Sequence, residues 1–222
     1  RALTQIASRR RANQPRLGVR VVISMERYGF AHYWEQEEAR RRALLAVSMD
    51  AISLNPERMG APIEVRASAL SLPFWGDWLL RDMARTRLAH RPVAHVWGNL
   101  SDDTFPSDRT IGVPTQWVWT RVGPYHHSSA WLRDEMNDWN VGAEIARLIC
   151  AYTATLAWAD REDAARFISL AREGLATEMD EAAARWTAAL HSGALTADEI
   201  RQQASYTVEW EQERIRSLSN MF

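Results

Sequence analysis

Short β-branched runs alternate with longer amphipathic stretches through the first two thirds of the chain, and after that the pattern is helical alone. Residues 1–12 (RALTQIASRRRA) place Leu3, Ile6 and Ala7 on one helical face, and Asn13-Gln14-Pro15 ends that face. LGVRVVIS, residues 17–24, predicts a buried strand, since Val and Ile fit a pleated surface. The Glu-rich segment that follows reads as helix up to Arg42. ALLAVSMD, 43–50, predicts a second strand ending in an acid, before a loop with Asn55, Pro56 and Gly60. IEVRASAL, 63–70, predicts a third strand. A helix from Pro73 to about Leu88, capped by Ser71, comes next. VAHVW, 93–97, and TQWVWTR, 115–121, predict two more strands around a polar connection.

Helices are expected over 141–159, 161–179, 181–191 and 196–218, the last capped by Thr196 with acids behind it. Strands alternating with helices predict an α/β fold: a mixed, mostly parallel sheet flanked by helices, with a C-terminal helical extension. The expected division is an α/β unit over 1–160 and a helical extension over 161–222. In that extension Ile200, Ala204, Val208, Glu211, Ile215 and Leu218 form an incomplete apolar stripe. The stripe fits packing on the domain or a dimerisation arm that joins two copies.

Composition narrows the chemistry. All 27 basic residues among the 222 are Arg, which excludes Schiff-base lysine and phosphate-loop lysine chemistry. A net charge of -1 argues against a nucleic-acid backbone as main partner. No apolar run reaches the roughly 18 residues of a membrane span, and the Arg-rich start lacks the apolar centre of a signal peptide. No membrane partner and a cytoplasmic location are therefore expected, although a signal could lie before Arg1. Cys150 is the one cysteine, which excludes an intrachain disulfide and fits a small packed hydrophobe. Trp is abundant, at 11 residues. The pairs Trp75/Trp78 and Trp117/Trp119 suggest core packing, with carbohydrate stacking as the sharper alternative. His95, inside a predicted strand, is expected to be a satisfied core histidine.

In an open α/β sheet, functional groups gather beyond the carboxyl ends of the strands. Glu26 follows the strand ending near Ser24, Asp50 closes ALLAVSM, and His126 comes shortly after TQWVWTR. Carboxylates and an imidazole delivered by strand ends could hold zinc and serve a metal-bound water, but acids after strands also cap helices or make turns.

The order of the motifs adds to this. SMERYGF, AVSMDAIS and SDDTFPSDRTIGVPTQWVWTRVGPYHHSSA together resemble the zinc aminopeptidase-like family (peptidase family M-28). The most specific match is the third. It sets Ser101, Asp102, Phe105 and Asp108 before Gly112-Val113-Pro114 and Tyr125-His126-His127-Ser128. The resemblance covers roughly residues 1–160, about the second half of such a domain. It implies that Glu26 is the catalytic general base and that Asp50 and His126 are zinc ligands. Asp102 and Tyr125 would support the site, the latter beside a bound carbonyl. The implied activity is zinc-dependent hydrolysis of a peptide or small amide.

Two positions depart from the family pattern. Two-zinc members carry a second, ligating Glu where this chain has Arg27, and no His-x-Asp occurs anywhere in the 222 residues. Two ligands are short of the three or four that zinc takes. The chain alone is accordingly expected to be inactive, and to leave a sheet edge or apolar face exposed. A non-catalytic interaction module of the same fold is the alternative that these departures favour.

Overall fold

The computed structural model describes residues 14–24, 26–101, 103–122, 128–129 and 133–221, the side chains of Glu26 and Arg27 excepted. The helix expected over 1–12 lies outside the described residues; the first described helices are α1 (Glu26–Glu35) and α2 (Glu37–Arg42), separated by Gln36 in extended conformation. The alternating core follows: β1 (Ala46–Asp50), α3 (Pro56–Met59), β2 (Ile63–Ala69), α4 (Gly76–Arg87), β3 (Val93–Gly98) and β4 (Thr115–Thr120). Three long helices complete the chain: α5 (Trp139–Trp158), α6 (Asp163–His191) and α7 (Ala197–Arg216). A 3₁₀ turn over Ser217–Met221 follows.

Local chemistry sets several of these boundaries. Asn55 Oδ1 accepts the N–H groups of Glu57 and Arg58, Pro56 starts α3, and Gly60 closes it at φ 60°, a left-handed conformation that suits glycine. Asp138 caps α5 by accepting from the Asn140 N–H. The predicted Thr196 cap is present as a reciprocal capping box with Glu199. α4 differs from expectation. Its first residue is Gly76 and the preceding Trp75 makes no side-chain cap. Ser71 Oγ instead donates to the Ser107 carbonyl, tying the loop before α4 to the loop before β4.

The sheet order is β1-β4-β2-β3. β1/β4 and β2/β3 are parallel and β2/β4 is antiparallel, so the sheet is mixed with two parallel pairings, as the alternation predicted. One sheet face carries Ile63, Val65 and Val118 against Leu79, Leu80, Ala84 and Leu88 of α4 or just after it, and against Val141, Ile145, Leu148 and Tyr152 of α5. Phe167 and Ala171 of α6, with Leu218 and Met221 of the final turn, enter the same core. α6 can approach α4 this closely because residue 174 is glycine: a Cβ there would collide with the Trp78 indole. Two smaller clusters form elsewhere. Trp34, Ala39 and Val113 join α1 and α2 to the loop before β4, and Leu54, Met59, Val122 and Met136 gather beyond the ends of β1 and β4.

Three expectations need correction. Residues 17–24 form no strand: the Arg16 and Leu17 N–H groups donate to the Ala157 carbonyl at the end of α5, and no strand pairs with the segment. Val19, Val21 and Ile23 are 44%, 70% and 94% exposed, so strand propensity without a partner leaves the run irregular. Residues 163–191 form one helix rather than two, since nothing near residue 180 breaks it. On α7 the buried positions are Trp210, Glu211 and Arg214, while Val208 and Ile215 of the expected stripe are exposed. Among the described residues β1 pairs with β4 alone, and its Met49 is 45% exposed. Among the described residues no helix is long and apolar enough to cross a membrane.

Candidate functional site

The carboxyl ends of the parallel pair β1/β4 define one candidate region. Register sets Asp50, the last residue of β1, beside Trp119 of β4. Asp50 is exposed there, and the chain turns sharply after it through Ala51 at φ 47°. Ala51 and Trp119 pack against the Leu54–Met136 cluster, which fixes this rim of the sheet. The polar connection into β4 is also well tied. Val113 N–H donates to the Pro106 carbonyl, Thr115 N–H to Ser107 Oγ, and Gly112 takes φ 78°. The Ser101, Phe105, Asp108 and Gly112-Val113-Pro114 positions of the motif therefore shape the entry to β4.

Of the other predicted site residues, Glu26 opens α1, with its side chain outside the description. Asp102, Tyr125 and His126 lie outside the described residues. Among the described residues no group of three His, Cys, Asp or Glu side chains could hold a metal ion. The described residues by themselves thus do not make a zinc site.

The opposite sheet face holds a polar cluster that sequence reading missed. Side chains alternate along a strand, so Gln116 points away from Trp117 and Trp119, into the helix-covered side. Gln116 Nε2 donates to Asp77 Oδ1 at 2.8 Å, and the Ser68 N–H and Oγ donate to the same carboxylate at 2.9 and 2.8 Å. Burial nevertheless raises the Asp77 pKa, opposed by Arg214 and these hydrogen bonds. Arg214 of α7 stacks over the Trp78 ring at 3.9 Å and binds Glu178 of α6 at 2.6 Å. Arg81 of α4 reaches the other Glu178 oxygen at 3.1 Å. The one signal in the sequence was Glu211, a charge inside an otherwise apolar stripe. Asp77, Glu178 and Arg214 are far apart along the chain and read as ordinary surface charges.

A cleft of about 90 Å³ adjoins the cluster, lined among others by Arg66, Arg81, His95, Trp97, Gln116 and Glu178. At about 30 Å³ per water it suits a few waters, and it is far below the roughly 300 Å³ at which organic-ligand pockets begin. Among the described residues Gln116 Oε1 accepts no hydrogen bond of good geometry, although the Tyr152 hydroxyl interacts with the Gln116 side chain. His95 corrects the expectation of a core histidine. It keeps a solvent-facing side, while partial burial, with Arg81 and Arg85 nearby, pushes its imidazole down to about 4.

Trp75 and Trp78 are core residues, 0% and 2% exposed. Trp117 and Trp119 stack with centroids 4.4 Å apart and planes at 22°. Trp117 is buried, and the Arg66 guanidinium lies over both rings, at 4.9 and 5.4 Å. The pair is a packed ladder rather than the bare platform that a sugar ring needs.

No protein-family model matches the chain, and no curated protein matches it in sequence. Among solved structures, two determinations of BSAP, a zinc aminopeptidase from Bacillus subtilis, are similar to it. Both are 13% identical, with TM-scores of 0.43 and 0.46 over 58% and 61% of this chain. The chain spans about a third of those structures, 32% and 34% of their lengths.

Proposed function

We propose that the chain is part of an aminopeptidase-like hydrolase that cleaves peptide or small amide bonds with zinc. The observation that supports this most is Asp50. It ends a parallel strand beside β4, the strand that leads in sequence to Tyr125-His126. The motif resemblance needs an acid at this strand end, and carboxylate oxygen with imidazole nitrogen is a donor set that zinc accepts. On this reading Asp50 and His126 are the ligands the chain contributes, and residues outside these 222 complete the set. A zinc held there would supply Lewis-acid polarisation of the scissile carbonyl and would lower the pKa of a water bound beside it. Glu26 takes the water's proton and delivers it to the leaving amine. Asp102 and Tyr125 steady the site, Tyr125 beside the carbonyl oxygen.

The test is zinc content and aminoacyl-anilide hydrolysis, measured on the protein as the cell makes it. Asp50→Ala and His126→Ala are expected to lose zinc. Glu26→Ala should keep zinc and lose about 10²–10⁴-fold in rate. A protein with neither zinc nor hydrolysis would instead be a non-catalytic interaction module. Arg27 at the second-Glu position and the lack of a His-x-Asp in the 222 residues favour that second reading.

A further inference from the structure

Three carboxyl groups converge on Arg214 where α4, α6 and α7 meet. Glu178 is 2.6 Å from its guanidinium, Glu211 3.6 Å and Asp77 3.7 Å. None of these four residues is more than 8% exposed. Arg81 adds a second guanidinium, but it is part-exposed and shared between Glu178 and Glu181. With all three acids ionised, the interior would hold three negative charges against one buried cation and one at the rim. An uncompensated buried charge costs several kcal/mol, and taking up a proton relieves it.

The hydrogen bonds say which acid carries that proton. Asp77 accepts from Ser68 and Gln116, and Glu178 accepts from Arg81 and Arg214. Among the described residues neither Glu211 oxygen has a hydrogen-bond donor. An ionised Glu211 would have only the attraction of Arg214 at 3.6 Å, beyond hydrogen-bond reach. A protonated Glu211 can donate to Glu178, with which it interacts.

We infer that Glu211 is the proton-bearing member of this cluster and that its ionisation loosens α7 from α4 and α6, a pH-operated latch on the C-terminal helix. Burial pushes its carboxyl up to about 8; Arg214 opposes this, while Glu178 and Asp77 reinforce it. The groups facing the cluster from the sheet, Ser68 of β2 and Gln116 of β4, are neutral. His95 of β3 stands near Arg81 and is uncharged well above pH 4. Undocked, Glu211 ionises near the ordinary 4.5. Between 4.5 and about 8 the docked state holds more protons, so docking weakens as pH rises through that range and is level above it. Release would break the bonds that Trp75 N–H makes to Ser217 Oγ, Trp210 Nε1 to the Leu70 carbonyl and Arg214 Nε to the Phe74 carbonyl. It would also open the cleft wall to which Arg214 contributes.

The test is amide exchange across α7 in the full chain, wild type against Glu211→Gln, from about pH 6.5, above the value of about 4 to which burial and the nearby Arg81 and Arg85 lower His95, to pH 8.5. The protection of the variant relative to wild type should climb by up to about tenfold per pH unit and level near pH 8. A flat ratio would overturn the latch. Should Glu211→Gln fail to fold, carboxyl-carbon NMR of the wild type decides. A Glu211 midpoint far above the carboxylate range supports the latch, and one inside that range rejects it. Glu178→Gln should move that midpoint down, and an unmoved midpoint would exclude proton sharing between the two acids.

Discussion

Asp77 occupies the first turn of α4, where a carboxylate already gains from the helix's partial positive end. It turns inward and becomes the acceptor for a strand N–H, a hydroxyl and a side-chain amide, with Arg214 3.7 Å away. Asp77→Ala strips an acceptor from three buried donors and a partner from a buried guanidinium. The expected loss is about 3–5 kcal/mol of unfolding free energy, read by urea denaturation. Asp77→Asn keeps one oxygen for the Ser68 N–H and should lose less. A loss below about 1 kcal/mol in the Ala variant would mean that water re-solvates the cluster and that the carboxylate does not hold α4 to the sheet. Single residues of this kind were the hardest to read from the chain. Asp77 and Arg214 are 137 positions apart by their numbers, and neither sits in a pattern that marks it as buried. Glu211 did break a pattern, and the break marked a buried acid.

At the scale of elements, legibility followed the partner. β2, β3 and β4 lie within a residue or two of the alternating runs that predicted them, because a helix layer covers one face and fixes which side chains turn inward. Residues 17–24 have equally strong β-branched content, but among the described residues no neighbouring strand supplies hydrogen bonds to them. Propensity could not reveal that. The end of β1 at Asp50 was legible as a strand end, whereas the site roles of Asp50, Glu26, Asp102, Tyr125 and His126 rest on motif resemblance, and the last three residues lie outside the described ones. Gly174 carries the packing argument furthest. An Ala in mid-helix would ordinarily be about 1 kcal/mol better than Gly. Here its methyl meets the Trp78 indole, which is clamped between α6 and Arg214. Gly174→Ala should therefore destabilise by about 1–3 kcal/mol, seen as a fall in urea midpoint. A stabilised variant would show that α6 can shift on α4 without strain.

For the whole molecule, the described sheet ends in two edge strands, β1 and β3. β3 is the edge strand nearer α7: its Trp97 meets Trp210 edge-on at 5.2 Å. Among the described residues β1 has β4 on one side and no strand on the other, with Met49 exposed beside it. Val21 and Ile23, in the unpaired run before α1, are among the most exposed apolar residues described. An open strand edge, like an exposed β-branched run, is a template for pairing with another chain, and charged side chains are what proteins use to block it. The 222-residue chain should therefore self-associate as its concentration rises. Replacing Met49 and Ile23 together by Lys should suppress this with little change in urea midpoint, since neither side chain is buried. Light scattering on a dilution series separates the outcomes. If the double variant associates as strongly as wild type, association runs through another surface, and the exposed Val208 and Ile215 of α7 become the next positions to charge.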